Sequence, residues 1–291
     1  MDIQAVHFIM NYSQIISQEH KALFIIAIDQ SGSMQSPFHR HTITAKKCEI
    51  ASSVASALID ELVMHSQQAH RLNDPCPYCD IAVLGYSQNE VYPLLHPGAV
   101  VLPITALNRD ATPHYTRAAV YINSQNHPEF VLESIKEWVK PRTGGSTPIT
   151  DTVNIISDIV NEWCSNSANQ DSFPPIIFNI TDSIDESEYT GSLIERLELL
   201  KNIGTNNGRT LVFNICIDAN PIEDRFYFPR LEDIPEAHPI YALARSSSTI
   251  PERFVPWAKI FNPEATTECR ALCYNSAILQ LIPLLNISVN W

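Results

Sequence analysis

Three short apolar runs, each closing on an aspartate, constrain this chain more than any other feature of its sequence. Leu23-Phe24-Ile25-Ile26-Ala27-Ile28 leads into Asp29, Pro175-Ile176-Ile177-Phe178-Asn179-Ile180-Thr181 into Asp182, and Leu211-Val212-Phe213-Asn214-Ile215-Cys216-Ile217 into Asp218. Runs of this length, nearly continuously apolar and rich in β-branched residues, read as strands buried on both faces. Helical patterns lie between them. From Thr44, residues Cys48, Ala51, Val54, Ala55, Leu58, Ile59, Leu62 and Val63 keep one face apolar. After Pro148 the stripe is Ile149, Val153, Ile156, Ile159, Val160 and Trp163, and a third helix carries Leu193, Ile194, Leu197 and Leu200. Strands alternating with helices predict an α/β fold, a doubly wound, mostly parallel, Rossmann-like sheet with helices on both faces.

The remaining segments elaborate that plan. Asp80–Tyr86 and Glu90–Leu95 read as a hairpin across Ser87-Gln88-Asn89, and Pro93 marks its second strand as the one antiparallel edge strand. Prolines 97, 103 and 113 punctuate an irregular stretch from His96 to Ser124. An amphipathic helix is predicted over Pro128–Lys140, on Val131, Leu132, Ile135, Trp138 and Val139. A proline-rich excursion runs to Pro239, followed by a short strand at Ile240–Ala244 and a closing helix over Ser276–Leu285. The expectation is one domain over 1–291, with its core at about 20–290 and insertions at about 96–141 and 218–239.

Composition removes several classes of function. Lys plus Arg number 19 against 32 Asp plus Glu, a formal net charge of −13. A phosphate-backbone partner needs a basic face to displace counterions, so nucleic acid is not expected, nor is an anionic membrane surface. The longest apolar strings are too short to span a bilayer. Met1-Asp2-Ile3-Gln4 lacks the basic start of a secretory signal. Seven cysteines, an odd number scattered along the chain, do not form a disulfide framework. A cytoplasmic protein of a reducing compartment is expected.

Ligands of doubly wound sheets sit at the carboxyl ends of the strands. Asp29 and Asp182 fall there, as does the turn carrying Thr147 at a helix start. Asp29, Ser31 and Ser33 lie two apart in one turn, so their oxygens can converge on a point. An all-oxygen set of carboxylates and hydroxyls suits a hard cation, Mg²⁺ with Mn²⁺ as its substitute, and nothing in it is soft enough for Zn²⁺ or copper.

Through Phe24-Ile25-Ile26-Ala27-Ile28-Asp29-Gln30-Ser31-Gly32-Ser33-Met34 the chain resembles the von Willebrand factor A-type domain family, whose metal-ion-dependent adhesion site (MIDAS) reads D-x-S-x-S. Gly144-Gly145-Ser146-Thr147-Pro148 is similar to that family's threonine loop, and Ile180-Thr181-Asp182 to its aspartate loop. Asp80–Tyr86, Ser172–Ile177 and Ala271–Ser276 are similar to segments of its bacterial intracellular branch, the tellurite-resistance-associated and phosphatase- or kinase-linked members. The resemblance implies that Asp29, Ser31 and Ser33 sit in or beside the metal's first shell. It implies that Thr147 coordinates directly when a ligand binds and that Asp182 acts mainly through water. A partner protein's Asp or Glu then fills the open metal position. The function implied is a non-catalytic Mg²⁺-dependent interaction module in a bacterial signalling or stress-response assembly, with a phosphatase, kinase or motor ATPase as partner. Ser183 stands where the family usually has glycine, and an extra serine, Ser146, precedes Thr147. Together with His39 and His41 they form the expected rim of the partner site.

Other readings of the same residues stand beside this one. Ser31 and Ser33 could simply cap a helix. A strand ending in Asp-x-Ser-Gly-Ser also resembles haloacid-dehalogenase phosphatases, but their second acid is Ser31 here and no lysine stands in a convincing context. Cys76-Pro77-Tyr78-Cys79 has redox spacing but precedes a strand, so it reads as a thiol pair or as a zinc site completed by His65, His70, Cys269 or Cys273. Asp185, Glu186 and Glu188 read as a solvated acidic face.

Overall fold

A computed structural model describes residues 12–40, 43–68, 76–122, 128–182, 191–217 and 226–274. Along the chain the first elements are β1 (Ala22–Asp29), β2 (Pro37–Arg40), β3 (Ile43–Lys46), α1 (Lys47–Gln68), β4 (Cys79–Ser87), β5 (Glu90–Pro93) and β6 (Val101–Pro103). There follow β7 (His114–Ile122), β8 (Pro128–Lys136), α2 (Ile149–Ser165), β9 (Ile176–Thr181), α3 (Gly191–Asn202), β10 (Gly204–Thr205) and β11 (Gly208–Arg209). The last are β12 (Leu211–Cys216), β13 (Phe226–Tyr227), α4 (Tyr241–Ser246), α5 (Val255–Phe261) and β14 (Leu272–Tyr274).

Five strands run parallel in the order β4-β1-β9-β12-β14. β1 lies between β4 and β9, and chain order reverses there, which makes the carboxyl ends of β1 and β9 the switch point of the sheet. All eight residues of β1 are buried, and its side chains divide by parity. Phe24, Ile26 and Ile28 join a core under α1 and α5, with Val54, Leu58, Leu62 and Trp257. Leu23, Ile25 and Ala27 join a second core under α2, α3 and α4, with Val153, Val160, Leu197 and Leu243. The period-two alternation of a strand thus meets an apolar helix face on either side. Each large side chain so buried contributes about 1.5–3 kcal/mol.

The doubly wound α/β architecture with helices on both faces is the one expected. The edges differ from expectation, because antiparallel strands close both of them. β5 pairs with the carboxyl half of β4 through the two-residue turn Gln88-Asn89, where both residues take positive φ. β6, from the expected insertion, pairs with the amino half of β4. β13 pairs with β14 at the far edge.

Four local expectations are corrected, the first being the irregular stretch from His96 to Ser124, which carries β6 and the nine-residue β7. Pro128–Lys136 is a strand, not the predicted helix, and it pairs antiparallel with β7 over nine residues. Its apolar spacing suited both periods, and the neighbouring run His114–Ile122 supplied a strand partner. Ile240–Ala244 is not a strand, since α4 begins at Tyr241 and buries Leu243 and Ala244 through helical spacing. The helix predicted from Thr44 begins at Lys47, after a short strand paired with β2. The predicted closing helix lies outside the described residues. Among the described residues no helix is long and apolar enough to cross a membrane.

Candidate metal-binding site at the carboxyl ends of two central strands

Asp29 ends β1 with no exposed surface. Its Oδ1 accepts the backbone N–H of Ser31 at 2.8 Å, and its Oδ2 accepts the Thr181 hydroxyl at 2.8 Å. Burial pushes its carboxyl up from 3.8 to about 6; the Ser31 hydroxyl and N–H and the Thr181 hydroxyl oppose this, and the charge of Asp182 adds to it. The chain then turns through a single 3₁₀ turn, Gly32–Gln35, in which the Ser31 side chain makes no capping bond. Ser31 Oγ lies 3.0 Å from Ser33 Oγ, and Ser33 Oγ donates to Asp182 Oδ1 at 2.7 Å. The serines therefore face the cluster rather than cap a helix. Four of the five expected ligands, Asp29, Ser31, Ser33 and Asp182, form one hydrogen-bonded group.

The threonine loop is fastened to this turn by its backbone. Gly32 N–H donates to Gly145 O at 2.8 Å, Gly144 N–H to Gln30 O at 2.9 Å, and the Thr143 hydroxyl to Ser31 O at 2.6 Å. The paired glycines are required by geometry. Gly145 has φ +73°, and a Cβ there would lie 2.9 Å from Gln88 Cα in the β4–β5 turn. Thr147 is half-buried just before α2, and its hydroxyl has no hydrogen-bond partner among the described residues, so it is uncommitted. Ser146 is not in the cluster, because its hydroxyl donates to Asn89 Oδ1 at 2.9 Å.

Sequence reasoning missed Lys47. Its Nζ donates to Asp182 Oδ2 at 2.9 Å, with both side chains nearly removed from solvent. Helical Cβ atoms point toward the N-terminus, so the first residue of α1 aims its side chain back at the strand-end loops. The signal was present, since a cation in a helix's first turn opposes the macrodipole and implies a compensating carboxylate. Gln30 was also missed. It is buried, accepts the Tyr92 hydroxyl on Oε1 at 2.6 Å, and so ties the turn to β5.

Of the remaining candidates, His39 pairs with Thr44 in the β2–β3 ladder, and His41, Ser183, His70, Asp185, Glu186 and Glu188 lie outside the described residues. Cys76 and Cys79 are buried free thiols, and burial pushes both up, away from thiolate reactivity. His65 meets Glu61 at 3.1 Å, and Cys273 is buried in β14. Among the described residues no three His, Cys, Asp or Glu side chains converge as a metal-binding group. The strand-end cluster has two carboxylates, so a cation there would depend on hydroxyls for its other protein oxygens. Hydroxyl protons rotate and leave two lone pairs free, so this donor set fits a hard dication that keeps several waters. Compared with known proteins, the chain matches no family model and no curated protein.

Proposed function

We propose that this chain is a non-catalytic, Mg²⁺-dependent protein-interaction module, which binds an acidic residue of a partner protein through a metal held by Asp29, Ser31, Ser33, Thr147 and Asp182. The observation that carries the reading is the hydrogen-bonded group of Asp29, Ser31, Ser33 and Asp182 at the switch point, with an uncommitted threonine hydroxyl on a loop bound to the same turn. Bound there, Mg²⁺ would supply Lewis acidity toward an incoming carboxylate, and a set only partly neutralising it would leave it electrophilic. The resemblance to A-type domains adds the partner classes, which are a phosphatase, a kinase or a motor ATPase of a bacterial assembly.

A phosphatase-like hydrolase at the same strand ends is the rival, and Lys47, beside Asp182, is a lysine in the place that reading needs. Against it, Asp29 would be the nucleophile, yet it is fully buried with both oxygens accepting hydrogen bonds. Affinity capture from the native lysate with wild-type and Thr147→Ala bait, in Mg²⁺ and in EDTA, tests the proposal. The expected result is prey lost with the variant and with EDTA alike. Prey indifferent to both would overturn the metal-bridged mechanism.

A further inference from the structure

Both oxygens of Asp182 are already in use in this fold. Ser33 donates to Oδ1 at 2.7 Å, and the Lys47 ammonium lies 2.9 Å from Oδ2. The side chains of the ion pair are 9% and 1% exposed, so solvent screens neither charge. A buried carboxylate without a counter-charge is costly, and the ammonium balances it. A dication arriving at the same carboxylate would meet that ammonium at short range in weakly screened surroundings, where like charges repel strongly. The ammonium and the metal therefore compete for the charge of one carboxylate.

We propose that Lys47 is a tethered counter-cation which balances Asp182 in the metal-free protein, so that a divalent ion binds only by displacing its ammonium. The lysine thereby sets the metal affinity of the site and keeps the fold intact between metal-bound states. This rests on the metal-binding reading given above. A displaced ammonium would swing out of the buried pair. Lysine's four-carbon stem is flexible, and its sequence neighbours Lys46 and Cys48, with Gln35 and the carboxylate-bearing Glu49, line a cleft of about 810 Å³ beside the start of α1. An arginine could keep the counter-charge, whereas a methionine keeps only the apolar stem.

The test is titration of the full chain with Mn²⁺ by calorimetry, using wild type, Lys47→Met and Lys47→Arg, with melting temperatures recorded in EDTA. Lys47→Met is expected to bind Mn²⁺ at least tenfold more tightly than wild type, and Lys47→Arg to stay within threefold of it. In EDTA, Lys47→Met should melt below both others, and saturating Mn²⁺ should abolish the difference. If Lys47→Met does not fold, Lys47→Gln takes its place. Equal or weaker Mn²⁺ binding by the folded neutral variant would overturn the tethered-cation role while leaving metal binding intact. No Mn²⁺ binding by any form, wild type included, would overturn both.

Discussion

Asp29 is shaped by where β1 ends. Its carboxyl titrates near 6 because burial outweighs the hydrogen bonds from Ser31 and Thr181, so the folded, metal-free protein holds the proton more tightly than the unfolded chain does. Stability should therefore fall as pH rises from about 4 to about 6 and stay level above. The loss is about 3 kcal/mol at 1.36 kcal/mol per unit. Asp29→Asn removes that cost. In EDTA it should melt above wild type at pH 7.5, the two curves converging below pH 4.5; a constant offset across the range would contradict this account. On the proposed function the same proton would compete with the metal, so Mg²⁺ affinity should weaken below pH 6. Asp29, Ser31, Ser33 and Asp182 were legible in the sequence because a strand end and a two-residue spacing fix where their oxygens go. Lys47 was signalled only as a cation near a helix start; its partner depends on how far α1 extends toward the loops, and apolar periodicity does not mark a helix's first residue.

At the scale of elements, the central strands and the first three helices were legible for the same reason: long apolar runs and stripes leave little choice of period. The segment 96–141 was not, since its fate was decided by pairing between segments. Its return to the body is fixed at two residues of α1. Arg109 reaches Asp60 with two hydrogen bonds, at 2.8 and 3.0 Å, and Trp138 Nε1 donates to the same carboxylate at 3.2 Å. Ser56 Oγ, four residues earlier on α1, accepts the N–H of Val139 at 3.1 Å. Asp60→Ala leaves an arginine and an indole without their acceptor, at a cost of roughly 1–3 kcal/mol. Hydrogen exchange should then quicken between 104 and 139 while β1 and β9 stay protected. Unchanged exchange there would mean that the β7–β8 ladder holds itself against α1 without this clasp.

Across the whole molecule, strands from distant parts of the chain complete a single sheet. β6 comes from the insertion and pairs with β4, while β14, near residue 272, pairs with β12. The candidate site is likewise assembled from segments at 29–33, 47, 143–147 and 181–182, joined by hydrogen bonds that exist only when the sheet is formed. Unfolding is thus expected as one cooperative transition, with the insertion lost together with the core. A ligand of the folded state must then stabilise every part of it equally. At free Mg²⁺ a hundredfold above its dissociation constant the linkage is about 2.7 kcal/mol, or roughly 5 °C in a chain of this size. Calorimetry in Mg²⁺ and in EDTA should show one peak that moves without splitting, and Thr147→Ala should move less because it lacks one protein oxygen. Two peaks, only one of which responds to Mg²⁺, would mean that the insertion folds as a unit of its own and that the strand-end loops report on the sheet alone.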